Sequence, residues 1–107
     1  MRRNKAVREA FADEVVEAAL RLTDRSREAR DVFIGNEMFS LPAARVGDIQ
    51  LLYMPPAALG FHVVDIWAPI KGRTTKVFSA QWRPFHIVTF LYGPWVDLLV
   101  PGSRGHR

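Results

Sequence analysis

The chain has 107 residues, a net charge of +4 and no cysteine. This length fits one domain, residues 1–107, that buries its own core, and the absence of cysteine excludes disulfides, thiolate metal sites and cysteine nucleophiles. The most apolar window, residues 85–100, is interrupted by His86, Pro94 and Asp97 and is shorter than the about 20 apolar residues of a membrane-spanning helix. Charged residues follow the basic N-terminus where a signal peptide would be apolar. We therefore expect a cytoplasmic protein without a membrane partner.

The N-terminal segment has the spacing of an amphipathic helix. Apolar residues recur every three or four positions over residues 4–23, at Val7, Phe11, Val15, Ala18 and Leu22. Acidic and basic side chains occupy the other side, which is typical of a helix that packs one face on a core. The sequence predicts a helix here.

A second, shorter helix is predicted over residues 27–34. Ser26 is a suitable N-cap, and Gly35-Asn36 suits a left-handed helix end. Val32, Phe33 and Ile34 would dock this helix on the core. Residues 23–26 break the pattern only weakly, so a single bent helix is the alternative. Residues 1–35 form the helical part on either reading.

Strand-like runs separated by proline or glycine occur from Asp48 onward, at 48–54, 61–68, 75–82 and 86–92. A weaker strand-like run precedes them at 37–41. Pro94 precedes a last helical turn at 95–100, and 101–107 is a tail. Because sequential strands with short links usually pair, we predict an α+β fold in two layers. One or two N-terminal helices pack on a four-stranded antiparallel meander within residues 48–100.

Two of these strands are apolar on both sides. In 61–67 and 86–92 neither alternate set is polar, whereas 75–82 alternates regularly. An antiparallel sheet with one wet face should alternate throughout. The second face must then be covered by the second helix, residues 36–47, the C-terminal turn or another chain. Aromatic residues with arginine are typical of interfaces, which gives as candidate partner-binding residues Trp82, Arg83, His86, Tyr92 and Trp95.

The common catalytic and ligand-binding motifs do not occur in the sequence. There is no phosphate-binding loop, zinc-protease motif or calcium loop, and the three histidines have no ligand spacing. We expect no metal and no cofactor. The meander would gather His62, Arg83 and His86 at one end of the sheet beside Trp82 and either Tyr53 or Met54. In an alternative reading, the two histidines and Arg83 would perform acid–base chemistry on a phosphodiester.

A second alternative is nucleic-acid binding. Lys71, Arg73 and Lys76 lie near Trp67 in the sequence, and cations among aromatic rings are typical of single-strand binding. Helices followed by an antiparallel meander, in a small basic chain with a late Arg, His and Tyr, also resemble in element order the RelE-type ribosome-dependent RNase toxins. That fold opens with a strand, whereas this chain opens with a helix. Element order alone does not carry function.

The sequence therefore predicts a small non-catalytic domain that binds itself or another protein through an aromatic-rich sheet face. A homodimer is the expected assembly. The alternative is a basic RNA-binding protein or an RNase toxin-like nuclease.

Overall fold

The computed structural model describes residues 2–82, 87–91 and 93–100. The elements follow the order α1 (Arg2–Ser26), β1 (Glu28–Ile34), β2 (Glu37–Val46), β3 (Ile49–Met54), α2 (Pro56–Leu59), β4 (His62–Ile70), β5 (Arg73–Trp82), β6 (Ile87–Phe90) and α3 (Trp95–Leu99). Helices pack on an antiparallel sheet, so the predicted α+β class is confirmed. Within the described residues, no helix is both long and apolar enough to cross a membrane.

Helix α1 follows the apolar stripe in the sequence. Val15 and Ala18 are buried, as are Ala12 and Ala19 beside them, while Leu22 is half-buried. The side chains of Val7 and Phe11 lie outside those described. Thr23 donates its hydroxyl to the carbonyl oxygen of Ala19 at 3.0 Å, which satisfies this buried polar group within the helix itself. The predicted helix is confirmed, with three further residues at its C-terminal end.

The predicted second helix is wrong. Residues 28–34 form β1, which pairs antiparallel with β2 across a two-residue turn at Gly35-Asn36. Gly35 has a φ of 64°, as the first central residue of a tight hairpin turn requires. The same dipeptide suits a helix end, which is why the sequence was ambiguous. Two β-branched residues, Val32 and Ile34, favour the strand over the helix.

The sheet has six strands in the order β1-β2-β3-β4-β5-β6, where four were predicted. Every strand pairs antiparallel with the one before it in the chain. The two additional strands are β1 and β2, which come from the segment predicted as helix and from the weak run at 37–41. At the other hairpin, Lys71 and Gly72 both have positive φ, 50° and 79°, the pattern of a two-residue turn that matches strand twist.

A β-bulge at Val77 changes the predicted alternation of β5. The register shifts between Ile66 and Trp67, so both Val77 and Phe78 are buried in the core. Lys76 consequently shares a face of the sheet with Ser79, because the extra residue in the bulge moves the preceding side chains of β5 to the opposite face. The regular alternation predicted for 75–82 therefore holds only after the bulge.

One face of the sheet packs against the helices. Its core contains Leu51, Ile66 and Phe78 in one cross-strand row, together with Val96 and Leu99 of α3. The C-terminal helical turn predicted after Gly93 is confirmed, with Pro94 as its N-cap.

The other face curls on itself. The guanidinium of Arg30 in β1 lies 5.2 Å from the ring centre of Trp67 in β4, although β2 and β3 lie between these strands. In a flat sheet β1 and β4 would be about 14 Å apart, so the sheet bends toward this face. Leu41, Leu52 and Val63 are buried on it. The chain therefore covers this part of its second face itself.

Candidate functional site

Three of the residues expected at one end of the sheet form a ring stack. The rings of His62 and Trp82 are 4.8 Å apart and nearly parallel, and the Tyr53 ring follows at 6.0 Å from His62. The Tyr53 hydroxyl and Nδ1 of His62 are hydrogen-bonded at 2.8 Å. The antiparallel register produces this stack, because His62 pairs with Trp82 and Tyr53 lies on the next strand. Met54 alternates to the opposite face.

The ring stack is held by ring packing and by one hydrogen bond. All three rings are half-buried, and those of Tyr53 and Trp82 pack against the core. Burial raises the pKa of the Tyr53 phenol above its usual value. The phenol therefore stays protonated at neutral pH and acts as a hydrogen-bond partner of the imidazole. Arg83 and His86, the other two residues of the catalytic reading, lie outside the described residues. Among the described residues, no group of three His, Asp or Glu side chains is placed to hold a metal ion.

Trp95 lies in the core and not on the surface predicted for it. It is only 3% exposed, its ring contacts Phe78 and Phe90, and its indole N–H donates to the carbonyl oxygen of Leu91 at 2.9 Å. The reason is the short helix α3, which turns the ring back over β5 and β6. Tyr92 lies outside the described residues. Of the predicted partner-binding residues, the described part of the chain therefore contains the half-buried Trp82 and the buried Trp95.

The predicted nucleic-acid residues do not form one free cationic surface. Lys71 and Arg73 are exposed in the β4–β5 turn. Lys76 lies on the curled face, with its ammonium 3.5 Å from the carboxylate of Asp65 and 5.5 Å from the ring centre of Trp67. Arg30 also lies over Trp67, so this ring already contacts two cations of its own chain.

Two of the three most exposed large apolar side chains among the described residues are neighbours near the turn of the β1–β2 hairpin. Phe33 is 71% exposed and Met38, its direct cross-strand partner, is 57% exposed. On the other side of the same hairpin, Val32 pairs with Phe39, and both are half-buried, as is Ile34. We call these five residues the hairpin tip. Single exposed apolar residues are ordinary, but an exposed neighbouring pair is a feature of interaction surfaces.

The hairpin tip also lies on a sheet edge. Among the strands that the structure describes, β1 is the first in the order and pairs on one side only. Its first half carries Glu28, Arg30 and Asp31, and its second half, Val32–Ile34, carries no charge. Charges are a usual protection of edge strands against pairing, so the second half of β1 is the less protected part.

Sequence reasoning missed this surface because residues 27–34 were interpreted as a helix docked on the core. The available signal was the dipeptide Gly35-Asn36 between two short apolar runs, VFI and MF, which is a hairpin pattern.

No family model matches this chain, and comparisons with curated proteins and with solved structures give no match either.

Proposed function

We propose that this domain is a non-catalytic protein-interaction module that binds through the hairpin tip. The observation that carries the proposal is the exposed pair of Phe33, on the least protected part of the edge strand β1, and its cross-strand partner Met38 on β2. Burial of apolar side chains drives most protein–protein association, and aromatic residues and methionine are enriched at the centre of interfaces. The proposed interaction surface therefore lies on β1 and β2, whereas the sequence predicted it near residues 82–95.

The side chains that could take part in acid–base catalysis support a binding role instead. The one imidazole among the described residues, His62, is held in the ring stack by Tyr53 and Trp82. The buried carboxylate, Asp65, is engaged by Ser79 and Lys76. These polar groups are used to stabilise the fold.

Site-specific photo-crosslinking tests the proposed function. A photoreactive benzoylphenylalanine replaces Phe33 in one variant and Leu98 in a matched control, because Leu98 is similarly exposed at 59% but belongs to α3. We expect light-dependent adducts from position 33 and not from position 98, each adduct identified by mass spectrometry. A second change in the tip, Met38→Lys, should abolish the adducts.

Two outcomes contradict the proposal. The first is the absence of protein adducts at position 33 in cells and at high concentration of pure protein. The second is an adduct pattern that is the same at both positions, which indicates random collision. Co-purified nucleic acid that is released by moderate salt would favour the RNA-binding alternative instead.

A further inference from the structure

We propose that the occupant of the hairpin tip is a second copy of this chain, bound by antiparallel pairing of the two β1 edges about a two-fold axis at Phe33. This inference rests on the proposed function and deepens it, because it names the partner and the register.

The turn decides which backbone groups of β1 are available for pairing. Ile34 and Glu37 flank the two-residue turn and pair with each other, so they form the hydrogen-bonded pair that closes such a hairpin. Backbone direction alternates along a strand, so Val32 and Arg30 also point toward β2. Phe33 and Asp31 point their N–H and C=O groups to the free edge. An added antiparallel strand would bond to these groups.

Side-chain chemistry then selects the register. Residues opposite one another in an antiparallel pair share a face, so a two-fold axis must pass through a residue of β1. An axis at Arg30 or Asp31 brings like charges together, and an axis at Val32 sets Asp31 against Phe33. An axis at Phe33 sets the two Phe33 rings opposite each other and each Val32 opposite the Ile34 of the other copy. Over Val32–Ile34 this last register brings only apolar side chains together.

The same register extends the apolar surface across both hairpins. Met38 lies beside Phe33 on one face, so a row of four apolar side chains would cross the interface. Phe39 lies beside Val32 on the other face. Val32, Phe33 and Ile34 would therefore meet the same three residues of the other copy in one symmetric contact, as an isologous dimer interface requires, with Met38 and Phe39 directly behind them.

One competing register has complementary charges. An axis at Ala29 would pair Glu28 with Arg30 and Arg27 with Asp31. Exposed ion pairs contribute little to association, and this register would leave Phe33 and Met38 in water. Burial of apolar surface therefore favours the axis at Phe33. Its contact is short, which predicts a concentration-dependent equilibrium between monomer and dimer.

Single cysteines test the partner and the register together, since the chain has no cysteine of its own. In the proposed dimer two Phe33→Cys residues would have Cα atoms about 5.5 Å apart, within the range that a disulfide spans. Met38→Cys is the matched control: it lies on the same face one strand inward, and the two copies would be about 14 Å apart. Under mild oxidation with glutathione we expect Phe33→Cys to form a covalent dimer at least tenfold faster than Met38→Cys. Sedimentation of the unaltered chain should show its mass doubling from 12.2 kDa as concentration rises.

Three results would overturn the inference. A chain that stays monomeric at millimolar concentration, with equal cross-linking of both variants, shows that no self-pairing occurs. Faster cross-linking of Met38→Cys shows contact through the hairpin face. Fast disulfide formation by an Ala29→Cys variant, together with slow disulfide formation by Phe33→Cys, would place the two-fold axis at Ala29. An unchanged midpoint of urea unfolding verifies that each variant is folded. If a photoreactive residue at position 33 cross-links only to a different protein, the proposed function stands and the self-pairing is wrong.

Discussion

Asp65 is a carboxylate within a buried strand. It is 5% exposed, accepts a hydrogen bond from the Ser79 hydroxyl at 2.5 Å and lies 3.5 Å from the Lys76 ammonium. The β-bulge at Val77 is what brings Lys76 to this face, because regular alternation would have turned it to the other side. The charge pair therefore depends on the bulge.

Replacing Asp65 should destabilise the fold more than replacing its cation. Asp65→Ala removes a hydrogen bond to a charged group and leaves Ser79 without this acceptor, at a cost of about 1.5–3 kcal/mol in the free energy of unfolding. Lys76→Ala should cost about 1 kcal/mol or less, because the Lys76 side chain is half exposed. Urea unfolding of both variants measures the difference. Equal losses would contradict the assignment of Asp65 as the central group.

Tyr53 gives the chain a predicted dependence on alkaline pH. Burial raises the pKa of its phenol, so the folded chain keeps this proton at pH values above about 10, where the unfolded chain loses it. The contribution of Tyr53 to stability is therefore complete below pH 10 and is lost as the pH rises toward the folded-state pKa.

The variant Tyr53→Phe isolates this effect. At pH 8 it should lower the free energy of unfolding by about 0.5–1.5 kcal/mol, since the hydrogen bond to His62 is lost. The gap between the two proteins should shrink between pH 10 and 11, because lysines and the other tyrosine titrate equally in both. A gap that stays constant or widens over this range would contradict a raised pKa.

At the scale of elements, the junction between α1 and β1 is the part that the sequence described least well. The helix ends at Ser26, and Arg27 has a φ of 57°, in the left-handed region. A glycine at this position would have marked the end of the helix. With arginine there, the sequence continued to resemble a helix, and residues 27–34 were predicted as one.

Arg27→Gly should therefore stabilise the protein. Glycine adopts positive φ without steric cost, and the gain should be about 1 kcal/mol. The matched control is Arg25→Gly, which lies inside α1 and should lose about 0.5–1 kcal/mol. Thermal unfolding of the two variants should give shifts of opposite sign. Shifts of the same sign would show that Arg27 makes contacts that outweigh its backbone strain.

At the scale of the whole molecule, the fold was predictable where hydrophobic spacing was unambiguous. The stripe of α1 and the Pro94 helix start each follow from local sequence, and the grouping of Tyr53, His62 and Trp82 followed from assuming a meander. The contact between Arg30 and Trp67 across the curled face was not predictable, since Arg30 lies on a strand that was predicted as a helix. For the same reason, the exposed pair Phe33 and Met38 was not among the predicted partner-binding residues.

The chain order of the strands has a consequence for how this protein folds. Three of the links, at Gly35-Asn36, Gly47-Asp48 and Lys71-Gly72, are two residues long, so each hairpin closes a very small loop at little entropic cost. The contacts between α1 and α3 instead join the two ends of the chain. A sheet that forms by successive local closures can be complete before the termini meet, and topologies dominated by such local contacts fold fast. The rate-limiting step would then be the docking of α1 onto a preformed meander, with the hairpin tip already in place when that step begins.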